Sequence, residues 1–266
     1  MAAFARAARR PFFLISDLPL ITDAWFYAVA IPAVLLLGVS KSGFGAGFGS
    51  LAVPLMALAV PVPDAAAILM PLLLVMDLLG LAAFRRDVDR ALLKFLLPWA
   101  LVGTVVGALL FHILSAPTVA GIVGVATLLF LGQRLLFPPR RDAPPPPRPV
   151  GAVLTVLAGF TSFIAHAGGP PLNAYLIPLR LKPVVFTATV AYLFFAVNLS
   201  KWIPYAWLGL LDVRNMATSI VLLPFAPLGV WLGVRIARRI GAVWFYRFIY
   251  AGMLLTGIKL VWDGFT

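Results

Sequence analysis

The stretch that decides the fold is residues 38–50, which read GVSKSGFGAGFGS. Glycines occupy positions 43, 45, 47 and 49, so four of seven consecutive residues in an otherwise apolar segment are glycine. Glycine destabilises a helix interior by roughly 0.5–1 kcal/mol relative to alanine, so a run this dense predicts a helix that ends and restarts. We therefore expect two half-length helices joined by unwound backbone.

A second stretch of the same kind covers residues 159–171, which read GFTSFIAHAGGPP. Glycines 168 and 169 predict another break, and proline is well tolerated in the first turn of a helix. We expect the second half-helices to begin near Gly47 in the first stretch and near Pro170 in the second.

These two breaks belong to two copies of one unit. At a spacing of 121, Gly38 pairs with Gly159, Gly47 with Gly168, Leu51 with Leu172, and Asp77 with Asn198. At a spacing of 126, residues 98–107 and 224–233 share the frame P-x4-G-x3-G. The x3-spaced glycines allow close approach of helix backbones, either inside the bundle or in a homodimer interface. The chain is therefore predicted to be an internal duplication.

The composition requires a lipid environment. The chain has 266 residues, of which 62% are hydrophobic and 11% charged, and its mean hydropathy is +1.04. Its apolar stretches are continuous, as in membrane helices, and lack the alternation of barrel strands. The net charge of +12 is concentrated at the ends of these stretches, where anionic lipid headgroups account for it. Membrane lipid is thus a predicted partner and nucleic acid is not.

We predict an all-α integral membrane protein with five helical segments in each half. The segments are residues 25–39, 45–60, 64–84, 92–114 and 117–137, then 151–165, 170–179, 183–203, 213–237 and 243–262. The first two of each half are short or re-entrant. The predicted division is a lead-in at 1–23, repeats at 24–137 and 150–266, and a linker at 138–149 that reads PPRRDAPPPPRP.

An odd number of segments predicts that the second repeat is inverted in the membrane. Placing the linker in the cytoplasm also places most of the loop cations there, namely Arg85, Arg86, Arg90, Lys94, Arg180, Lys182, Arg235, Arg238, Arg239 and Arg247. This satisfies the positive-inside bias of a multi-pass inner-membrane protein. Arg6, Arg9 and Arg10 disagree with it, because both termini then lie outside.

Inverted repeats bring their breaks together near the membrane midplane. Unwound backbone is tolerated there when it lines a cavity, and helix N-termini present free N–H groups that favour an anion. The candidate binding residues are Lys41, Ser42, Gly43, Gly45, Gly47, Gly49, Ser50, Ser162, His166, Gly168, Gly169, Asn173 and Asn198. Lys41 is the only lysine or arginine within either break.

Asp77 is a carboxylate inside an apolar segment, and its repeat partner is Asn198. Such a residue is costly in lipid and is a functional candidate, either as a proton carrier or as the partner of Lys41. A capping or snorkelling aspartate near the interface is the alternative. Lys201, one turn beyond Asn198, either reaches a substrate vestibule or snorkels to the interface.

The paired breaks, in "GFGAGFGSLAVPL" and "GFTSFIAHAGGPPLNAYLIPL", and the two P-x4-G-x3-G helices resemble the TauE/SafE family of sulfite and organosulfonate exporters. The resemblance covers nearly the whole chain after about Trp25. It implies export of small sulfur-containing anions from a bacterial cell across the inner membrane, coupled to protons.

Two other functions remain open on the residues alone. A channel of the same fold would use the same site, and an intramembrane hydrolase would use Ser42 or Ser162 as nucleophile with His166 as base. The second lacks a G-x-S-x-G elbow. With no cysteine in the chain and no G-x-x-x-x-G-K-[ST] phosphate loop, we predict neither a metal site nor a cofactor.

Overall fold

The computed structural model describes residues 20–44, 49–111, 113, 115–136, 144–165, 167–207 and 212–265. Within these ranges all regular structure is helical. The helices are α1 (Ala24–Gly43), α2 (Ala52–Met56), α3 (Val62–Phe84), α4 (Arg90–Leu110), α5 (Ala116–Leu136), α6 (Arg148–Ala165), α7 (Gly169–Leu176), α8 (Pro183–Trp207), α9 (Val213–Leu222), α10 (Phe225–Arg239) and α11 (Ala242–Phe265).

Five of these helices are long and apolar enough to cross a membrane, and α9 with α10 forms a sixth candidate as one bent span. The five are α1, α3, α4, α8 and α11. Large apolar side chains such as Leu109, Ile122, Leu129 and Trp231 are exposed on the outside of the bundle. An apolar exterior of this kind requires lipid around it, as expected for a multi-pass membrane protein.

Aspartates set the starts of three helices. The side chain of Asp23 accepts a hydrogen bond from the N–H of Trp25 at 2.9 Å, and that of Asp89 accepts one from Leu92 at 2.9 Å. Asp212 accepts one from the N–H of Asn215 at 2.7 Å. Each carboxylate satisfies a backbone donor that the helix itself leaves free, so these residues act as N-caps.

The first predicted break is confirmed, with a correction to its bounds. Helix α1 runs four residues past the expected end at position 39 and stops at Gly43, so Lys41 lies on its last turn. The chain continues through a 3-10 turn at Gly49–Leu51 into α2, which has only five residues. The α-helix described after the break begins at Ala52, and Gly47, near which it was expected to begin, lies outside the described residues.

The second break lies where the sequence predicts it. Helix α6 ends at Ala165, and α7 begins at Gly169 with prolines in its first turn. The start of α6 falls inside the predicted linker, because Arg148 and Pro149 form its first turn. That position accepts proline, whose missing N–H would have no partner there.

The predicted segment 213–237 is divided into two helices, since α9 and α10 meet at an angle of 52°. Pro224 lies at the junction, where its ring and missing N–H interrupt the helical hydrogen bonds. Its repeat counterpart, Pro98, lies inside the continuous helix α4. The proline at this frame position thus interrupts the helix in the second half only.

Helices of one half pack mainly against helices of the other. The closest pairs are α1 with α10, α4 with α6 and α5 with α11, and α3 crosses α8 at the centre. A Cβ on Gly38 would lie 2.9 Å from the Cα of Gly229, and one on Gly159 would overlap the carbonyl oxygen of Ala100. The duplicated glycines therefore serve packing inside the bundle, one of the two uses that the sequence allows.

Candidate functional site

A partly open cavity of about 60 Å³ lies where both breaks meet α3 and α8. A single water needs roughly 10–15 Å³ by this measure, so the cavity has room for a few waters or one small ion. Apolar side chains from α1, α3 and α8 form most of its wall, including Leu37, Leu69, Leu73 and Phe194. The polar part of the wall consists of Lys41, Ser162, Asn198 and Lys201, with Gly49, Gly168 and Gly169 beside them.

Lys41 forms an ion pair with Asp77. Its Nζ lies 2.5 Å from Asp77 Oδ1, and the two side chains are 10% and 0% exposed. A carboxylate at this depth is retained only with a partner, because an isolated buried charge is very costly. The structure therefore confirms Asp77 as the partner of Lys41 and excludes an interfacial, snorkelling position for this aspartate.

Asp77 also joins the two halves of the chain. Its Oδ2 accepts a hydrogen bond from Asn198 Nδ2 at 2.8 Å, across the contact between α3 and α8. Both side chains are buried. Since both oxygens of the carboxylate are engaged, one by Lys41 and one by Asn198, its orientation is fixed.

Lys201 is the second cation of the cavity, and its side chain is fully buried. Its Nζ donates to the carbonyl oxygen of Ser162 at 2.6 Å and to Ser162 Oγ at 2.8 Å. A longer contact of 3.5 Å reaches Asn198 Oδ1. Lys201 therefore does not snorkel, and of the two positions that the sequence left open it takes the one inside the protein.

Together these contacts form one chain from Lys41 through Asp77, Asn198 and Lys201 to Ser162. Among the described residues around the cavity, two lysines face one aspartate, which leaves an excess of one positive charge. Positive charge held in an apolar, partly closed space attracts anions strongly, because little water is present to screen it. The arrangement is suited to binding a small anion.

Comparison with known families agrees with this geometry. Residues 30–260 match the family model described as sulfite exporter TauE/SafE. The chain belongs to the TauE/SafE family. The match includes both breaks and every residue of the polar chain described above. No curated protein and no solved structure matches the chain.

In this TauE/SafE protein, six of the predicted binding residues lie on the cavity wall. They are Lys41, Gly49, Ser162, Gly168, Gly169 and Asn198. The predicted proton-coupling residue Asp77 lies directly behind Lys41 and Asn198. Gly45, Gly47, His166 and the side chain of Ser50 lie outside the residues that the structure describes, so their roles remain predictions.

Three other predicted residues lie away from the lining of the cavity. Ser42 and Gly43 lie where α1 crosses α10, and a Cβ on Gly43 would lie 3.1 Å from the Cα of Gly233. Asn173 is fully buried in α7, and neither Nδ2 nor Oδ1 of its amide has a hydrogen-bond partner in the described part of the chain. A direct contact with cargo remains a prediction for all three.

The helices after both breaks were expected to direct their N-termini at the anion site, and in the described residues only α7 offers such an N-terminus. Helix α2 is too short to concentrate an appreciable dipole, and it follows a 3-10 turn. Helix α7 has eight residues, and Gly168 and Gly169 at its start line the cavity.

Lys201 is the residue whose position the sequence analysis left undecided. Its signal was its position one helical turn beyond Asn198, on the same side of α8.

Proposed function

We propose that this protein is a secondary transporter that exports small sulfur-containing anions, such as sulfite or an organosulfonate, across the inner membrane. The observation that carries the proposal is the buried cavity with Lys41, Lys201 and Asp77 at the junction of the two halves. The family description supplies the direction and the sulfur chemistry. The surplus positive charge supplies the preference for an anion.

The proposal includes two inverted repeats. In the repeat alignment, α1 corresponds to α6, and α10 corresponds to α4. The pairing of α1 with α10 is thus equivalent to that of α6 with α4, and α3 pairs with its own equivalent, α8. Two copies related by a pseudo-twofold axis that lies in the membrane plane are expected to exchange helices in this way. Transporters built from such repeats move cargo by rocking one part of the protein against another.

Proton coupling follows from the ion pair between Lys41 and Asp77. When Asp77 is ionised, it neutralises Lys41 and the cavity carries one excess positive charge. When Asp77 takes up a proton, Lys41 is released and the excess rises to two. A proton and an anion therefore favour each other's binding, and this reciprocity makes anion binding and transport depend on pH.

A carrier is favoured over a channel by an apolar layer beside the cavity. A second pocket of about 600 Å³ opens at the ends of α3, α8 and α10, and Lys182 to Val185 form part of its wall. Further along α8, residues from Val190 onward line the central cavity. On α8, Ala188 lies between these two sets of residues, and it is buried in a cluster with Phe84 and with Ala237, which also lines the second pocket. We propose that this layer separates the pocket from the cavity, as alternating access requires.

The layer is held by Arg238 of α10. Its guanidinium donates to the carbonyl oxygen of Ala83 at 2.7 Å and to Asp87 Oδ2 at 3.2 Å. It also lies 5.6 Å from the ring centre of Phe84. Because the Arg238 side chain is 47% exposed, its ion pair with Asp87 contributes little, about 0–1 kcal/mol. A weak tie is appropriate for a layer that must open in each transport cycle.

The contact between Ser162 and Lys201 is the observation closest to a hydrolase, since serine and lysine form catalytic dyads in some proteases. A lysine base must be uncharged to accept the proton of a serine. Here Nζ faces a carbonyl oxygen, a hydroxyl and an amide oxygen, a set of acceptors that stabilises the charged ammonium. The arrangement favours a cation that binds anions over a catalytic base.

A homodimer is also part of the proposal, although its interface is not formed by the duplicated glycines. Gly229 and Gly233 lie against α1, and Gly103 and Gly107 lie against α6. The dimer would therefore use another apolar face of the bundle. Cross-linking of the protein in native membranes tests this point directly.

The transport function is tested in proteoliposomes containing the purified protein. We expect saturable uptake of sulfite or methanesulfonate, counterflow against unlabelled anion, and stimulation by a pH gradient. Flux that rises linearly with anion concentration and shows no counterflow would indicate a channel. Absence of both flux and anion binding would refute the proposal.

A further inference from the structure

We propose that Lys201 supplies the positive charge that holds the cargo anion, while the charge of Lys41 is reserved for Asp77. The inference rests on the transport function proposed above and assigns separate tasks to the two lysines of its site. It reverses the expectation from sequence, in which Lys41 was the only cation available within the breaks.

Lys41 and Lys201 differ in the negative charge that lies beside each of them. Lys41 has a carboxylate oxygen at 2.5 Å. Lys201 is as deeply buried as any residue in the protein, yet its contacts in the described part of the chain are to neutral oxygens of Ser162 and Asn198. A buried ammonium without a carboxylate beside it is strongly destabilising. An anion in the cavity provides the missing opposite charge.

The ammonium group of Lys201 can donate to one more hydrogen-bond partner at short distance. A lysine Nζ carries three protons, and two of them have short acceptors on Ser162, at 2.6 and 2.8 Å. The third points to Asn198 Oδ1 only at 3.5 Å, which is the outer limit of a hydrogen bond. An oxygen of the cargo can take this third position without breaking a strong bond, and the short contacts to Ser162 keep Nζ at the cavity wall.

A cargo anion must displace different groups at the two lysines. To bind at Lys41, a cargo anion must displace a carboxylate that is tethered to the same chain and held in place by Asn198 Nδ2 at 2.8 Å. To bind at Lys201, the anion displaces only one long contact to a neutral amide. Gly168 and Gly169, at the start of α7, lie on the same wall of the cavity. Ionic competition is therefore much lower at Lys201.

The assignment also fixes the charge of the preferred cargo. With Asp77 ionised and paired to Lys41, Lys201 is the one uncompensated charge among the described residues of the cavity. A singly charged anion then leaves the occupied cavity neutral, which is the least costly state in a medium of low dielectric constant. A doubly charged anion requires the additional proton on Asp77.

The test measures binding of sodium methanesulfonate and sodium sulfite to the full-length protein in detergent by titration calorimetry. The first variant is Lys201→Gln, which keeps a polar side chain of similar length without the charge. The matched control is Lys259→Gln, which removes one lysine charge at the partly exposed ion pair with Asp263 on α11. A second variant, Lys41→Gln with Asp77→Asn, removes the buried ion pair and leaves the net charge of the cavity unchanged. Thermal unfolding of each variant shows whether it is folded.

We expect Lys201→Gln to weaken anion binding by about 10- to 150-fold, the loss of one charge-assisted hydrogen bond. Lys259→Gln should stay within about threefold of the wild type, the usual variability of such contributions. The double variant should lose less affinity than Lys201→Gln and should lose its pH dependence. The reverse pattern, with binding lost in the double variant and kept in Lys201→Gln, would overturn the inference and leave the transport function intact.

If Lys201→Gln does not fold, Ser162→Asp decides the question. It places a carboxylate on Lys201, so the cargo must compete with an internal anion and binding should be lost. Wild-type affinity in this variant would contradict the assignment. If the wild-type protein itself binds neither methanesulfonate nor sulfite and transports neither, the proposed function fails first, and this outcome is distinct from a failure of Lys201 alone.

Discussion

Asn198 Nδ2 donates a hydrogen bond to Asp77 Oδ2 at 2.8 Å, and these two residues occupy equivalent positions of the predicted repeat. In the proposed inverted repeat, equivalent residues touch only near the axis that relates the copies, so this contact lies at that axis. Two aspartates here would repel each other or share a proton. Having asparagine in the second copy leaves one carboxylate to titrate and gives it a fixed donor.

Asp77→Asn is predicted to abolish the dependence of transport on pH while anion binding remains detectable. The substitution keeps the shape of the side chain but removes the group that exchanges a proton, and it leaves the cavity with two cations. Flux in proteoliposomes should be the same with and without a pH gradient. Asp263→Asn, at an exposed pair with Lys259 on α11, is the control and should behave as the wild type. A wild-type pH response in Asp77→Asn would count against proton coupling at this residue.

Phe84→Ala is predicted to open a leak between the central cavity and the pocket beside it. Phe84 is fully buried in the layer that separates them, and alanine leaves a space in its place. The variant should also lose about 3–5 kcal/mol of stability, as is usual for such truncations. Anion flux should lose saturation and counterflow. Phe265→Ala, at a 74% exposed position, is the control. Saturable flux with intact counterflow in Phe84→Ala would show that the barrier lies elsewhere.

Gly159→Ala and Gly38→Ala are predicted to destabilise the protein by about 1–3 kcal/mol each, the usual cost of overpacking. In both cases the added methyl group meets the backbone of the crossing helix, which cannot move aside as a side chain can. Gly132→Ala, where a Cβ meets nothing within 4 Å, should be neutral or slightly stabilising because alanine favours helix. Thermal unfolding in one detergent measures all three. Equal melting temperatures for the three variants would be inconsistent with backbone contact at these crossings.

Asp89→Ala is predicted to cost about 0.5–2 kcal/mol through loss of the N-cap of α4. The carboxylate of Asp89 satisfies the N–H of Leu92, and alanine leaves that donor unpaired. Asp89→Asn should retain most of the stability, because an amide oxygen also accepts from the helix. The ratio of the two effects in a thermal unfolding series distinguishes capping from charge. Equal losses in both variants would assign the effect to charge.

The breaks could be predicted from sequence because they depend on local chemistry. Dense glycine ended α1 at Gly43, and glycine with proline placed the start of α7 at Gly169. The ion pair of Lys41 with Asp77 was also one of the three roles that the sequence left open for Asp77, since an aspartate inside an apolar segment needs a partner.

The remaining features depend on packing between distant segments. Lys201 lies near one end of an apolar run, and only the position of α6 shows that Ser162 is there to accept its protons. Pro98 and Pro224 occupy the same position of the P-x4-G-x3-G frame, yet Pro98 lies inside a continuous helix and Pro224 lies at a break. The shared frame alone does not predict which of the two interrupts its helix.

The exchange of helices between the halves has a consequence for biosynthesis. Gly38 in α1 finds its contact only when Gly229 in α10 has been made, well over a hundred residues later in the chain. Until then α1 lies in the bilayer with its small-residue side against lipid. The N-terminal copy therefore has no complete partner set of its own, and the two copies must reach their final packing together.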